Sequence, residues 1–145
     1  MCMGRNLGKA ALKRYQAKGR NGYIRVWKVV NPTKGKYVPE AEINRILGLY
    51  KTGFNHARKN ALDEDELIHA FRNLTSARSW ASAYQNIIEC LIEPGWIVAV
   101  GDSYSDKTLT TKAIVMPEFP KTKVTVREFR VAIKGKKVKT YSWES

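Results

Sequence analysis

From residue 87 onward the chain alternates short apolar runs with turn signals, and this spacing constrains the fold more than any other feature. The run 87–92 sets Ile88, Cys90 and Ile92 on one face and is closed by Pro94-Gly95. The run 96–100 ends at Gly101-Asp102, residues 103–108 read as a polar loop, and 110–116 is stopped by Pro117 and Pro120. Apolar stretches of about 4–8 residues, rich in β-branched side chains and bounded by Gly, Pro and Asp, read as strands. The pattern continues over 124–133. Lys134-Gly135-Lys136 then predicts a hairpin connection, with 137–143 as its return strand.

The first half carries helical periodicity. Leu7, Ala11, Leu12 and Tyr15 form a thin apolar stripe among Lys9, Lys13, Arg14 and Lys18. Residues 7–18 therefore read as a short helix stopped by Gly19, or as a basic arm. Residues 23–30 have strand composition, with Tyr23, Arg25, Trp27 and Val29 on one face and Ile24, Val26, Lys28 and Val30 on the other; 31–35 reads as a turn. Pro39, Glu40 and Glu42 suit a helix start, and Ile43, Ile46, Leu47 and Tyr50 would line that helix up to Gly53. Residues 54–62 read as a further helical turn or two. Asp63 and Glu66 have capping-box spacing with Leu62 and Leu67 as a staple, which predicts a helix over 64–72, or a strand over 68–71. Thr75 or Ser76 would cap a helix bearing Ala77, Trp80, Ala81 and Tyr84, and Tyr50, Trp80 and Trp96 are expected in the core. The fold class is α+β: an antiparallel sheet formed mainly by the second half, packed by two to four short helices from the first half. One domain over 1–145 is expected, with 1–20 as a basic arm or short helix.

Charge is segregated along this framework. The formal net charge of +13 divides into +10 over residues 1–39, −3 over 40–120 and +6 over 121–145. Solubility alone does not require such segregation. Two basic ends around a mildly acidic middle predict a composite positive surface that attracts phosphates, if the ends meet in space. The alternative is a solvated lysine-rich face. No apolar run approaches the ~18 residues of a membrane span, and Gly4, Arg5 and Asn6 do not form a secretion signal. Cys2 and Cys90 make no disulfide framework. A soluble, cytoplasmic protein is expected.

Cations interleaved with aromatics point to a candidate site. On the expected return strand Lys137, Lys139, Tyr141 and Trp143 share a face, and Arg127 and Arg130 stand on the outgoing strand. Tyr23, Arg25 and Trp27 repeat the arrangement at the other basic end. Arg25, Arg127, Arg130, Lys137 and Lys139 are the candidate phosphate contacts, and Trp27, Tyr141 and Trp143 the candidate stacking plates, each worth about 1–3 kcal/mol per base. An edge strand guarded by lysines is the plainer alternative. No catalytic set emerges. His56 and His69 are the only histidines, Cys90 lies among apolar neighbours, and no paired ligand spacing suggests a metal. Gly4–Gly8 and Gly19–Gly22 follow no strand, so the phosphate-loop fingerprints fail, although each Gly-Arg-Asn triplet can form a small anion-binding concavity.

The order Ile68-His69-Ala70-Phe71, Trp80, an isoleucine-rich strand, Pro94-Gly95-Trp96, Val100-Gly101-Asp102 and Thr111-Lys112-Ala113 resembles small proteins encoded by tailed phages and prophages, over about residues 23–118. The resemblance implies a phage protein of the anti-defence kind, including sponges: oligomers that sequester nucleotide immune signals without cleaving them, in the cytoplasm of the infected host. The expectation is a non-enzymatic, homo-oligomeric binding protein for a phosphate-bearing nucleotide, without cofactor. A nucleic-acid-binding protein and a protein-binding inhibitor of a host defence enzyme are the alternatives.

Overall fold

Alternation along residues 24–33 produces the strand on which the sheet is assembled, β2 (Ile24–Thr33). A computed structural model describes residues 5–33, 36–39, 50–103 and 106–144. The other strands are β1 (Arg5–Asn6), β3 (Lys36–Pro39), β4 (Gly53–His56), β5 (Ile68–Phe71), β6 (Asn86–Ile92), β7 (Ile97–Ser103), β8 (Asp106–Thr111) and β9 (Ala113–Met116). The helices are α1 (Lys9–Gln16), α2 (Leu74–Trp80) and α3 (Val126–Ile133). Among the described residues the strands form one antiparallel sheet in the order β1-β7-β8-β5-β2-β6-β9-β4, with β3 paired to the end of β2. The class is α+β.

The two faces of β2 behave as its period of two dictates. Ile24, Val26 and Val30 enter the main core with Ile88, Cys90 and Ile92 of β6. Lys28 shares that face and is buried, its Nζ donating to the His69 carbonyl at 2.5 Å. On the other face Val29 joins Phe71 of β5 and Ala77 of α2 in a smaller cluster, with Trp27 packed against it. The sheet curls: Phe54 of β4, at one end of the strand order, lies 5.6 Å from Trp96, just before β7. Gly19 closes the turn after α1, where a Cβ would come within 2.3 Å of Pro94 Cγ, so the close approach requires glycine.

Several segments differ from the sequence expectation. Of the expected 103–108 loop, residue 103 ends β7 and 106–108 open β8, which pairs with β7 from Ala99–Thr110 to Ser103–Asp106; 104–105 lie outside the described residues. The expected turn at 31–33 is strand, pairing Asn31, Pro32 and Thr33 with Val38, Tyr37 and Lys36. Pro39 closes β3; of the helix expected from there to Gly53, residues 40–49 lie outside the described residues, 50–52 are not helical and Gly53 starts β4. Residues 54–56, the start of the 54–62 segment read as helical, belong instead to β4 and pair with β9. Asp63 does cap, its side chain accepting from Asp65 N, but only a single turn follows before β5. The cap of α2 is Asn73. Trp96 is core as expected, whereas Trp80 is 39% exposed.

The largest difference concerns the C-terminal hairpin. Residues 126–133 are the helix α3, and 137–144 carry neither strand nor helix. The deciding signal is a complete capping box: Thr125 Oγ1 accepts from Glu128 N at 3.1 Å, and Glu128 Oε1 accepts from Thr125 N at 2.9 Å. Those bonds hold the Glu128 carboxyl below its usual range. Val126, Phe129 and Ile133 then face inward at helical spacing, with Phe129 2% exposed and its ring 6.1 Å from Trp96.

Candidate functional site

After α3 the chain lies as a strap over the 56–61 loop, held there by polar atoms of Lys139, Tyr141 and Trp143. Lys139 N donates to His56 Nε2 at 3.0 Å. The Tyr141 hydroxyl donates to the Arg58 carbonyl at 2.8 Å, and Trp143 Nε1 to the Ala61 carbonyl at 2.9 Å. The two rings stack on each other, 5.1 Å apart. Glu144 finishes the strap, accepting from Tyr141 N and pairing with Lys112 Nζ at 3.0 Å. A donor bonded to a buried carbonyl is expensive to remove, so these contacts fix the strap's register.

This arrangement reassigns the candidate residues. Tyr141 is 3% exposed, which leaves its faces to protein rather than to a base. Trp143 is half-buried. Lys137 and Lys139 are exposed, with the Lys139 ammonium 5.4 Å above the Tyr141 ring. They do not share a strand face with the aromatics, because the segment has no strand geometry. Arg127 and Arg130 stand exposed on α3 beside Glu128. Arg25 is exposed on β2, 3.8 Å from Glu89 and over the Tyr23 ring. Trp27 is packed into the smaller cluster. The eight residues are therefore distributed over β2, α3 and the strap.

Where the chain ends do meet is a cavity of about 540 Å³, within the range of roughly 300–1,000 Å³ typical of ligand sites. Of the eight candidates only Trp143 lines it, beside Glu144. The opposite contribution comes from α1: Lys9, Leu12, Lys13 and Gln16, with Asn6 and Gly8 ahead of them. Ile97, Val98 and Ala99 of β7 and Glu64 complete the lining. The sequence folds this way because Ala11 and Tyr15 bury the apolar stripe of α1, which packs on β7. That leaves Lys9 and Lys13, one turn apart, on the cavity side. Asn6 Oδ1 accepts from Gly8 N at 2.8 Å, and the first turn of α1 contains no acid, so its amino end keeps a positive character. The first Gly-Arg-Asn triplet thus contributes Asn6 to the cavity.

Lys9, Lys13 and Glu64 were legible only in part. Their types and the α1 periodicity are visible in the sequence, but the pairing of α1 with residues 143–144 is not. Glu64 is half-buried, and its carboxyl is raised by burial and by the charges of Asp65 and Asp63.

The groups considered for nucleophilic chemistry lie elsewhere. Cys90 is fully buried, its thiol donates to the Met116 sulfur at 3.5 Å, and burial pushes its pKa up. His69 is 1% exposed, bonded through Nδ1 to Thr110 Oγ1 and Nε2 to the Asp65 carbonyl; burial holds its pKa down to about 4. Among the described residues no group of three or more His, Cys, Asp or Glu side chains could hold a metal ion, and no helix is long and apolar enough to cross a membrane. No protein-family model matches the chain, and the searches of curated proteins and of solved structures likewise find no match.

Proposed function

We propose that the chain is a non-enzymatic binding protein that sequesters a phosphate-bearing nucleotide in the cavity between α1 and the strap. The observation that carries this reading is the convergence of the two chain ends: Lys9 and Lys13 from the basic N-terminal segment and Trp143 from the C-terminal one line the same cavity. The lysines supply cations for phosphate, and the apolar lining of Leu12, Ile97, Val98 and the Trp143 indole supplies a wall for a base. Phage origin, a nucleotide defence signal as ligand, the host cytoplasm and homo-oligomeric assembly are what the sequence resemblance adds to the proposal.

Native mass spectrometry of protein purified from defence-active cells tests it. The expected result is a retained nucleotide mass, released unchanged on denaturation, and its loss from the Lys9→Glu/Lys13→Glu variant. Charge-assisted contacts of about 1.5–3 kcal/mol each predict at least a tenfold loss of affinity. A folded wild-type protein that retains nothing and binds no added nucleoside phosphate sinks the reading.

A second reading, nucleic-acid binding, is favoured by the exposed cations outside the cavity. Arg127, Arg130, Lys134, Lys136 and Lys137 are exposed and, among the described residues, form no ion pair. A polymer tracked by five phosphate contacts gives a salt dependence of about −0.9 per contact on duplex DNA, whereas a mononucleotide site is much less sensitive.

A further inference from the structure

The cavity has a second wall of opposite character. Two carboxylates line it, Glu64 and Glu144. Both oxygens of Glu144 are committed, one to Lys112 and the other to Tyr141 N. Glu64 differs: among the described residues its carboxylate has neither a hydrogen-bond nor an ion-pair partner. Its neighbours are absorbed locally, Asp63 as the cap of its turn and Glu66 in a 3.6 Å pair with Arg58. Among the described residues no ion pair joins it to Lys9 or Lys13, which line the same cavity. A half-buried carboxylate without a partner is an acceptor awaiting donors.

We propose that Glu64 selects the base, accepting hydrogen bonds from the N1–H and N2–H of guanine while Lys9 and Lys13 hold the phosphate. This inference rests on the nucleotide reading of the cavity. Guanine is the one standard base with two adjacent N–H donors on its pairing edge, which matches the two oxygens of a carboxylate. Adenine and cytosine place a ring-nitrogen lone pair beside their amino group, and uracil flanks its single N–H with carbonyls. Each of these turns an acceptor towards the carboxylate, which is the repulsive element that specificity needs.

The test is calorimetric titration of the full chain with GMP, IMP and AMP. IMP keeps N1–H and the phosphate and lacks only the 2-amino group. Wild type is expected to bind GMP about 10- to 100-fold more tightly than IMP, the effect of one hydrogen bond to a charged acceptor, and to bind AMP more weakly than either. In Glu64→Gln the GMP-to-IMP ratio is expected to fall towards one: IMP, which keeps only the N1–H contact, weakens less than GMP, which has both contacts to lose. In Lys9→Ala/Lys13→Ala all three ligands should weaken together with the ratio kept. Equal wild-type affinities for GMP and IMP, or a ratio that survives Glu64→Gln, overturn the role of Glu64 and leave the cavity as a nucleotide site. Absence of binding by all three overturns both.

Discussion

The two basic ends of the chain solve opposite problems. At the N-terminal end, α1 buries Ala11 and Tyr15 and turns Lys9 and Lys13 towards a cavity. At the C-terminal end the aromatics go inward, Phe129 into the core and Tyr141 onto the 56–61 loop, while Lys134, Lys136 and Lys137 face solvent. Similar composition therefore yields a ligand wall at one end and a fastening device at the other. The difference comes from neighbours: α1 has β7 and the strap's tip beside it, whereas the strap has the Arg58 and Ala61 carbonyls beneath it to accept from its side chains.

The hardest blow to this contrast is Phe129→Ala. It removes a ring that touches Trp96 and Tyr23, and a loss of about 3–5 kcal/mol is expected in chemical denaturation. A loss below 1 kcal/mol would mean that α3 is not an anchor. Next, Lys137→Glu/Lys139→Glu should leave nucleotide affinity within about threefold of wild type, because neither residue lines the cavity. A tenfold drop in that variant would move the site to the strap. Tyr141→Phe, which deletes only the hydroxyl bonded to Arg58, should cost about 0.5–1.5 kcal/mol.

The smallest effect distinguishes the ends by pH. His56 Nδ1 lies 2.7 Å from the Ala57 carbonyl and donates to it, so its Nε2 is the acceptor that holds Lys139 N. Burial, with Lys59, Lys112 and Lys139 nearby, lowers the His56 pKa from 6.5. A histidine depressed in the fold is stabilising in its neutral form above the unfolded value, and that contribution is lost as pH falls below about 6.5. The protection factor of the Lys139 amide, its exchange rate corrected for the intrinsic pH dependence, should fall on acidification through this range while those of the α1 amides hold. A parallel loss of protection at both ends would show that the whole fold is loosening. His69, held down to about 4, contributes in the same direction to global stability between roughly pH 6.5 and 4.

How far the sequence could be read depended on whether a segment's partners were local. The face of β2 carrying Ile24, Val26 and Val30, and the inward set Ile88, Cys90 and Ile92, follow from alternation alone. α1 follows from its stripe. Residues 124–133 satisfied a two-residue and a helical period at once, and the capping box at Thr125 and Glu128 was the local signal that separated them. Residues 137–143 had no such signal. Lys137, Lys139, Tyr141 and Trp143 alternate as a strand would, but a strand needs a partner ladder, and their bonds go to His56, Arg58 and Ala61 instead.

By itself the sequence determined the α+β class, the two faces of β2, the burial of β6 and the segregation of charge to the ends, because period, propensity and ionisation are properties of short stretches. Only the tertiary structure decided that Tyr141 is a fastener, that Trp143 reaches the cavity, and that Lys9, Lys13 and Glu64 line it together. These depend on residues some 50 to 140 positions apart coming together, such as Tyr141 and Arg58 at a separation of 83. A pattern within one segment carries no information about which distant carbonyl or side chain will complete it.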